Sequence, residues 1–377
     1  MSTAGILFAN THDNNIPEIT TARTIAAVPF ACRYRFIDFM LSNMVNSNIY
    51  NIDVITNYKY LSLMDHIGSG KDWDLARRSG GIKILPPNVA SFASQGSFES
   101  ISRLQLLKSV NYAISAIRDE YVVLADCDGI CNIDLNDIVR YHIEKGADIT
   151  IAVKKMNLTR EVAANSVIME SNADGRVRDV LAYPNNFSGE AEVCLNILVM
   201  RTDYLESIIL DSVAHNFTSL TRDIIARNVD RANICVYRYD GYFANMTSIE
   251  EYFKNSMELI HNDDLRRAIF EVKNRPILTK VRNSTPTYYS EDSRVKNSMI
   301  ADGCVIEGTV ENSILFRGVK VGRNTTVRNS ILMQDTICGE SGYLNCVISD
   351  KNVVIRDGVM LSGVESQPFY IAKNKML

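Results

Sequence analysis

The chain has 377 residues, a formal net charge of −4 and a pI near 5.8, with 46% hydrophobic and 22% charged residues. This length predicts two domains, and the acidic balance argues against nucleic-acid polymers and anionic membranes as partners, because both bind clustered basic charge. No apolar run approaches the ~20 residues that span a bilayer and no signal-peptide pattern opens the chain, so we expect a cytoplasmic protein.

The chain starts with a short apolar stretch that includes Ile6 and Leu7, followed by residues 8–20. In a nucleotide-binding α/β domain this is the place of the phosphate loop, which needs glycines for backbone approach and usually a cationic side chain. Residues 8–20 contain no glycine, lysine or arginine, and they carry Asp13 and Glu18. The sequence therefore predicts a nucleotide-type site that has lost its phosphate-binding groups.

Short β-branched runs, typical of buried parallel strands, occupy residues 52–56, 121–125 and 148–153. Apolar residues recur at helical spacing over residues 37–45 and again over the longer run 101–117. Because strands alternate with amphipathic helices, this part of the chain predicts a doubly wound α/β sheet.

Two helix starts are also visible in the sequence. Asp134 is placed to cap a helix that runs towards Lys145, and Thr247 or Ser248 is placed to cap another. We assign residues 1–260 to the α/β domain and residues 261–290 to a linker that contains Pro276.

From residue 291 to residue 377 the pattern changes to a repeat of sixteen residues. Its β-branched anchors Val305, Val321, Ile337 and Val353 fall sixteen apart, with glycine, asparagine and aspartate between them. A fixed period of this size predicts a β-solenoid, in which each coil buries its anchors against its neighbours. The alternative, an all-β sandwich, would alternate apolar and polar residues without a fixed period.

The tripeptide Asp126-Cys127-Asp128 follows the predicted strand 121–125, where the carboxylates of a parallel sheet bind ligands and divalent metals. Either aspartate could instead simply begin the next turn. Residues 68–71 (GSGK) resemble part of a P-loop but lack its earlier glycine and its following Ser or Thr. Arg33 and Arg35 could hold phosphate groups or form a solvated surface turn.

Histidine and cysteine spacing gives little support to other chemistries. None of the five histidines lies after His261, so the repeat lacks the histidine base that acyltransferases with β-helices usually carry. The eight cysteines form no CxxC pair. Cys127 and Cys131 are a weak metal indication, and buried free thiols in a reducing compartment are the better interpretation.

Several motifs resemble those of ADP-glucose pyrophosphorylases, the glucose-1-phosphate adenylyltransferases of glycogen and starch synthesis. They are residues 33–43 (RYRFIDFMLSN), 46–49 (NSNI), 53–58 (DVITNY), 66–70 (HIGSG), 166–176 (SVIMESNADGR), 222–225 (RDII) and 241–252, with the whole repeat. The resemblance implies a nucleotidyltransferase-type, Rossmann-like mixed-sheet domain, then a left-handed parallel β-helix, and a tetramer. The family joins ATP and glucose 1-phosphate into ADP-glucose and pyrophosphate with Mg²⁺.

Most catalytic positions of that family are changed in this chain. The glycine-rich loop falls on residues 9–15, the Lys-Pro pair on residues 25–26 (IA), and the adenine-reading glutamine on Asn57. The Gly-Thr-Ala-Asp-Ala helix start falls on residues 99–103 (ESISR). These positions lack the groups that the family uses to hold the nucleotide.

The sugar-phosphate and metal positions are changed as well. The Glu-Lys-Pro motif that contacts the sugar phosphate is residues 182–184 (AYP), with Tyr183 in place of the lysine. The first metal-binding aspartate is kept as Asp128, and the second metal ligand is Asn245. Asp128, Asn245, Tyr183 and Asn57 are therefore expected to be vestigial, and we assign this chain no catalytic residue and no cofactor, with Asp128 only a residual metal position.

The same departures resemble the GlgD-type subunit, which accompanies the catalytic subunit in some Gram-positive bacteria. The resemblance implies a catalytically silent regulatory chain that forms a hetero-oligomer, in particular a heterotetramer, with a catalytic homologue, and a homo-oligomer when alone. The alternative is a low-activity sugar-nucleotide pyrophosphorylase. Arg23 and Arg35 match positions where the family binds anionic effectors, and their other interpretation is structural.

Overall fold

The computed structural model describes residues 2–56, 59–86 and 101–377. The first part of the chain forms an α/β domain. Its strands are Thr3–Phe8, Pro29–Phe30, Tyr34–Arg35, Asn51–Ile55, Gly81–Leu85, Tyr121–Asp126, Gly129–Ile130, Ile149–Leu158, Val167–Ser171, Val177–Ala182, Gly189–Arg201, Ile234–Arg238 and Ala244–Asn245. Its α-helices are Pro17–Thr20, Phe36–Asn46, Leu61–Ile67, Arg103–Ser109, Asn111–Ile114, Leu135–Glu144, Arg160–Ala164, Thr202–Ala214, Ile249–His261 and Asp263–Phe270.

Nine strands of this domain form one mixed sheet. Thr3–Phe8 lies in the middle, parallel to both Asn51–Ile55 and Tyr121–Asp126, while Gly189–Arg201 runs antiparallel on the far side of Tyr121–Asp126. Ile149–Leu158 pairs with Gly189–Arg201, so the sheet continues beyond the reversal. The predicted mixed-sheet α/β domain is confirmed. Its four neighbouring parallel strands, Gly81–Leu85, Asn51–Ile55, Thr3–Phe8 and Tyr121–Asp126, end at the same edge.

Local capping signals proved reliable. The Asp134 side chain accepts a hydrogen bond from the Asn136 amide at the start of Leu135–Glu144. Ser248, rather than Thr247, caps Ile249–His261 by accepting from the Glu251 amide.

The helical spacing over residues 101–117 predicts one longer helix. It is two short helices, Arg103–Ser109 and Asn111–Ile114, because Val110 between them adopts a φ of −112° and leaves the helical conformation.

The segment predicted as a linker contains a helix. Asp263–Phe270 follows Asn262, whose side chain accepts from the Leu265 amide, and two acidic residues occupy its first turn. The extended connection to Tyr288–Tyr289, the first strand of the second domain, begins only after this helix. The linker therefore starts later than residue 261.

The second domain is a parallel β-helix, as predicted, with three five-stranded faces. One face holds Tyr288–Tyr289, Val305–Ile306, Lys320–Val321, Ile337–Cys338 and Val354–Ile355. The second holds Arg294–Lys296, Thr309–Glu311, Thr326–Arg328, Tyr343–Asn345 and Met360–Ser362, and the third Met299–Ile300, Ile314–Leu315, Ile331–Leu332, Val347–Ser349 and Phe369–Ile371. Each strand pairs in parallel with the equivalent strand of the next coil.

The constant period of sixteen was wrong in detail. Ile306 pairs with Val321 and Val321 with Cys338, so the first of these coils spans fifteen residues and the next spans seventeen. The inward position on this face is therefore held by Cys338, 2% exposed, while the predicted anchor Ile337 points outward and is 39% exposed. Neighbouring residues of a strand face opposite sides, so an error of one residue in register exchanges them.

One corner of the β-helix carries a ladder of asparagine side chains. Asn297 donates to the Oδ1 of Asn312 at 2.8 Å, Asn312 to that of Asn329 at 3.4 Å, and Asn329 to that of Asn345 at 3.0 Å. Asn297, Asn312 and Asn329 all adopt positive φ, which asparagine tolerates better than other side-chain-bearing residues. The ladder thus combines a turn conformation with coil-to-coil hydrogen bonds.

Replacing Asn329 with alanine is expected to lower the free energy of unfolding by about 2 kcal/mol, because both the left-handed turn and the side-chain bonds are lost. Asn324→Ala is the matched control, since Asn324 has a φ of 58° but is exposed. The loss of stability in Asn324→Ala measures the contribution of the left-handed backbone alone. The loss in Asn329→Gly measures the contribution of the side-chain hydrogen bonds of the ladder alone. Equal urea midpoints for Asn324→Ala and Asn329→Ala would show that the ladder contributes nothing.

The two domains share one apolar cluster. Phe30, Phe36 and Tyr252 of the α/β domain pack in the same cluster as Phe316 and Ile331 of the β-helix. A buried ion pair adds to this interface, because the Arg23 guanidinium lies 2.8 Å from an oxygen of Asp350. The β-helix is thereby fixed against the edge of the first domain. Among the described helices, none combines the length and apolar character needed to cross a bilayer.

Candidate functional site

The carboxylates Asp126 and Asp128 lie at the edge of the sheet where the parallel strands end. Asp126 is the last residue of Tyr121–Asp126, Asp128 follows two positions later, and both are at least 97% buried. Arg103, from the start of Arg103–Ser109, donates from Nε to Asp126 at 2.8 Å and makes a second bond from Nη2 to the other oxygen. This two-pronged geometry is the strongest ion-pair arrangement available to an arginine.

His12, from the loop after the first strand, engages the second carboxylate. Its Nδ1 lies 2.6 Å from Asp128 and 3.5 Å from Asp126. Burial lowers the pKa of His12, but Asp128 and Asp126 raise it more, so the net shift is upward. Burial raises the pKa of Asp128, but His12, Arg103 and a backbone hydrogen bond together lower it more, so the net shift of this carboxyl is downward. The two carboxylates are therefore neutralised by side chains of the chain itself.

The residues present do not fit Mg²⁺. The ligand atoms of His12, Asp126 and Asp128 lie within 4.8 Å of one another, close enough to surround one ion. Mg²⁺ requires oxygen ligands in octahedral geometry. Here one of the three groups is an imidazole, and Arg103 already occupies both oxygens of Asp126. With both Asp126 oxygens bonded to Arg103, the pair of carboxylates offers no open magnesium site.

Three backbone amides of the loop over residues 9–15 already donate hydrogen bonds within the protein. The amide of Ala9 donates to Ile55, that of Asp13 to Asn10, and that of Asn15 to His12. Phosphate binding at such a loop depends on backbone N–H groups that point at the ligand. Because these three amides are already bonded within the protein, they do not point at a position where a phosphate group could accept from them.

The buried carboxylate of Asp13 stabilises the loop by accepting hydrogen bonds. It accepts from the Ile25 amide at 2.7 Å and from the Asn10 side chain at 2.8 Å. Burial raises its pKa to about 6, although both hydrogen bonds act in the opposite direction. An acidic side chain thus lies where phosphate-binding groups were expected, which adds electrostatic repulsion to the loss of donors.

The other predicted vestigial positions lie close to this pair of carboxylates. Asn245 pairs through its backbone with Gly129, the residue after Asp128. Tyr183, Asn245 and His12 line one cavity of about 530 Å³. Asn57 lies outside the described residues, so its place in the site is untested. Asn245 and Tyr183 thus line one space together with His12, the hydrogen-bond partner of Asp128.

His12→Gln is expected to alter the pH dependence of stability. The folded-state pKa of His12 is raised above 6.5, so its contribution is complete below that pH and is lost as the pH rises through the folded value. The stability advantage of the wild type over His12→Gln should therefore shrink above about pH 6.5. Thermal midpoints of both proteins across neutral pH measure this, and a difference independent of pH would contradict the ion pair.

Arg35 lies in a basic pocket between the two domains. Arg33, Arg35 and His66 line it from the α/β domain, and Arg317 and Lys351 from the β-helix. Arg35 is buried, and its Nη1 donates to the Ser62 carbonyl and hydroxyl. Burial, together with Arg35 and Arg23, lowers the pKa of Lys351 to about 6. The pocket carries surplus positive charge, which an anion would neutralise.

Arg23 does not line this pocket. Its side chain is 1% exposed, pairs with Asp350 and also donates to the Ile19 carbonyl at 3.2 Å. These contacts fit the structural interpretation of Arg23, whereas the effector prediction for Arg35 stays open.

Sequence reasoning missed two residues of the site. His12 belongs to no metal-ligand spacing among the five histidines, and Arg103 is only the last residue of the altered helix start over residues 99–103. Their partners are 116 and 23 residues away in the chain. The eight cysteines are free thiols, seven of them buried, as expected. Cys127 and Cys131 belong to no metal-like cluster within the described ranges.

A mixed-sheet domain with two carboxylates at its strand ends, followed by a parallel β-helix, defines a nucleotidyltransferase-type protein with a hexapeptide-type second domain. Residues 16–231 match the family described as nucleotidyl transferase, and residues 285–367 match the GlmU-like C-terminal hexapeptide family.

Full-length relatives narrow the group within this family to which the chain is similar. It is 34% identical over 371 residues to the glycogen biosynthesis protein GlgD of Bacillus subtilis (strain 168), covering 98% of this chain and 95% of that protein. It is 37% identical over 369 residues to GlgD of Geobacillus stearothermophilus, with the same coverage. A glucose-1-phosphate adenylyltransferase of Fervidobacterium nodosum (strain ATCC 35602 / DSM 5306 / Rt17-B1) is 29% identical over 359 residues, 94% of this chain and 84% of the relative. The chain belongs to the nucleotidyl transferase family, in the group of ADP-glucose pyrophosphorylases and GlgD-type proteins.

Proposed function

We propose that this chain is a catalytically silent, regulatory subunit of a glucose-1-phosphate adenylyltransferase that makes ADP-glucose for glycogen. The observation that carries the proposal is the neutralisation of Asp126 by Arg103 and of Asp128 by His12. Nucleotidyl transfer depends on positioning and on neutralising phosphate charge. Here the carboxylates that would hold a metal ion are occupied by internal cations, and three amides of the loop, those of Ala9, Asp13 and Asn15, are bonded to carbonyls.

The expected loss of catalytic rate follows from the number of catalytic groups that this chain lacks. Removal of one preorganised donor typically costs on the order of 10²–10³ in rate. The phosphate loop and one of the two metal carboxylates, replaced by Asn245, are lost together. Even with non-additive effects, little turnover should remain.

The proposed partner is a catalytic homologue with an intact glycine-rich loop, joined with this chain in a hetero-oligomer, in particular a heterotetramer; alone, the chain would form a homo-oligomer. Two relatives named as glycogen biosynthesis proteins support the pathway assignment. The basic pocket around Arg35 supports an anionic effector that acts through the contact between the domains.

The test is to assay ADP-glucose synthesis from ATP and glucose 1-phosphate with Mg²⁺, first with the purified chain and then with the catalytic homologue present. We expect no robust turnover by the chain alone and a raised rate or altered effector response on mixing. Robust turnover by the isolated chain would overturn the silent role. An unchanged rate and effector response on mixing would overturn the regulatory role.

A second candidate is a low-activity sugar-nucleotide pyrophosphorylase. It is favoured by the retained Asp128 and by the cavity beside it. Calorimetric titration with ATP separates the two candidates, because this enzyme must bind a nucleotide and the silent subunit need not.

A further inference from the structure

The basic pocket between the two domains is small, and its lining is one-sided in charge. Arginines line it from both domains, together with the amine of Lys351, and no lining residue that the structure describes carries a carboxylate. The space inside has a volume of about 30 Å³, roughly what two water molecules need. That space admits a molecule of a few atoms and excludes a whole sugar.

The carboxylate next to Lys351 in the chain, that of Asp350, is already engaged by other groups. Its Oδ1 accepts from Arg23 at 2.8 Å and from the backbone amide of Lys351 at 2.6 Å. Its Oδ2 accepts from the Tyr370 hydroxyl at 3.1 Å. No ion pair joins the Lys351 amine to a carboxylate within the described ranges. The protonated form of this amine therefore lacks the acidic partner that a buried cation needs.

The surroundings of Lys351 favour its neutral amine. Burial is the largest cause, and the charges of Arg35 and Arg23 act in the same direction. Together they lower the pKa of Lys351 to about 6, although Asp350 opposes them. An ordinary lysine has roughly one amine in a thousand neutral at about pH 7.4. Lys351 thus keeps a free lone pair at a pH where other lysine side chains are protonated, and this makes it the better nucleophile.

From these observations we propose that Lys351 is a carbamylation site, where its Nζ adds carbon dioxide and the resulting carbamate anion is held by the arginines of the pocket. The Nζ lone pair forms the new N–C bond, one C=O π pair moves onto oxygen, and one amine proton leaves to water. No oxidant, metal or leaving group takes part. The two carbamate oxygens accept from guanidinium groups as a carboxylate does. The pocket thereby gains the negative charge that its lining lacks.

The modification needs only this chain and CO₂. It goes beyond the regulatory role proposed above and does not depend on it, because no nucleotide, sugar phosphate or catalytic partner enters the step. Its failure would leave the activity and mixing assays unaffected, and a failure of those assays would leave the carbamate untouched. Where both proposals hold, dissolved CO₂ changes the charge at the contact between the two domains.

The test is ¹³C NMR of the full-length chain in ¹³C-labelled bicarbonate near neutral pH, followed by trapping with a trialkyloxonium salt and peptide mass spectrometry. We expect a carbamate carbonyl resonance and an esterified carbamate on the peptide that contains Lys351. The resonance should disappear when CO₂ is removed, because the addition is reversible. The N-terminal amine also reacts with CO₂ near neutral pH, so the trapped peptide makes the assignment. Absence of a trapped carbamate on Lys351 would overturn the proposal.

Variants of the pocket separate a carbamate from a loosely bound anion. Lys351→Met should abolish the Lys351 signal and leave thermal stability unchanged or higher, because it removes a buried amine without an acidic partner. Lys320→Met is the matched control, an exposed lysine of the β-helix, and should keep the full signal. Arg33→Ala combined with Arg282→Ala removes two exposed guanidinium groups of the lining and should weaken the apparent affinity for CO₂ about tenfold.

Two results would contradict the assignment. The first is an unchanged affinity for CO₂ in the double arginine variant, because the pocket would then not hold the carbamate. The second is an equal thermal stabilisation of the wild type and Lys351→Met by bicarbonate with no trapped carbamate, because the pocket would then bind an anion without forming a covalent bond.

Discussion

Arg103→Ala is expected to destabilise the fold strongly and to make its stability respond to a divalent cation. The substitution leaves Asp126 buried without its charged partner, which typically costs about 3–5 kcal/mol. It also frees both Asp126 oxygens next to Asp128 and His12. Mn²⁺, which accepts both carboxylate and imidazole ligands, should therefore restore part of the lost stability.

Thermal unfolding of wild type and variant, each with EDTA and with Mn²⁺, measures this effect. The wild type should show no shift with Mn²⁺, and Arg103→Lys should lie between the two proteins. Arg238→Ala is the surface control, because Arg238 pairs with Glu192 while 45% exposed, and we expect a cost of at most about 1 kcal/mol. A wild type that Mn²⁺ stabilises as much as it stabilises Arg103→Ala would show that the internal cation does not block the site.

Arg23→Met is expected to lower the stability of the protein by a similar amount, about 3–5 kcal/mol, through a different site. Asp350, 2% exposed, would lose the guanidinium that lies 2.8 Å away, although the Tyr370 hydroxyl still donates to it at 3.1 Å. Because the pair joins the two domains, the loss should appear in the calorimetric transition of the β-helix and of the α/β domain alike.

The double variant Arg23→Met with Asp350→Asn separates charge from packing. Removing both charges of a buried pair is often nearly neutral, so much of the loss should be recovered. Arg140→Ala, which disrupts an exposed pair with Asp137, should leave the transition unchanged. If the double variant is no more stable than Arg23→Met, the domain contact depends on the shape of Arg23 rather than on its charge.

The structural features predicted correctly from the sequence are those that depend on residues close together along the chain. Asp134 and Ser248 were identified as caps because a cap bonds to an amide two or three positions along. The helix after Asn262 carries the same signal, a capping asparagine followed by Asp263 and Asp264, although it lies in the segment assigned to the linker. The β-helix was visible because every coil repeats a short pattern.

What could not be predicted depends on register and on distant contacts. Ile337 and Cys338 are adjacent and both apolar, so only the pairing with Val321 decides which one faces inward. Likewise, no local pattern joins Arg103 to Asp126 or His12 to Asp128. The altered loop and helix start looked like independent losses in the sequence, whereas the folded chain uses one residue of each to neutralise the retained carboxylates.

The Arg23–Asp350 pair also has a consequence for the order of synthesis. The two residues are 327 positions apart, so the ribosome releases the first domain long before the partner of its buried arginine exists. Until the last coils are made, Arg23 has no carboxylate at this contact. A chain that stops before Asp350 would therefore keep an unpaired Arg23 charge on the surface of the first domain that contacts the β-helix. Proteases could reach such a chain at this surface, which the complete protein buries.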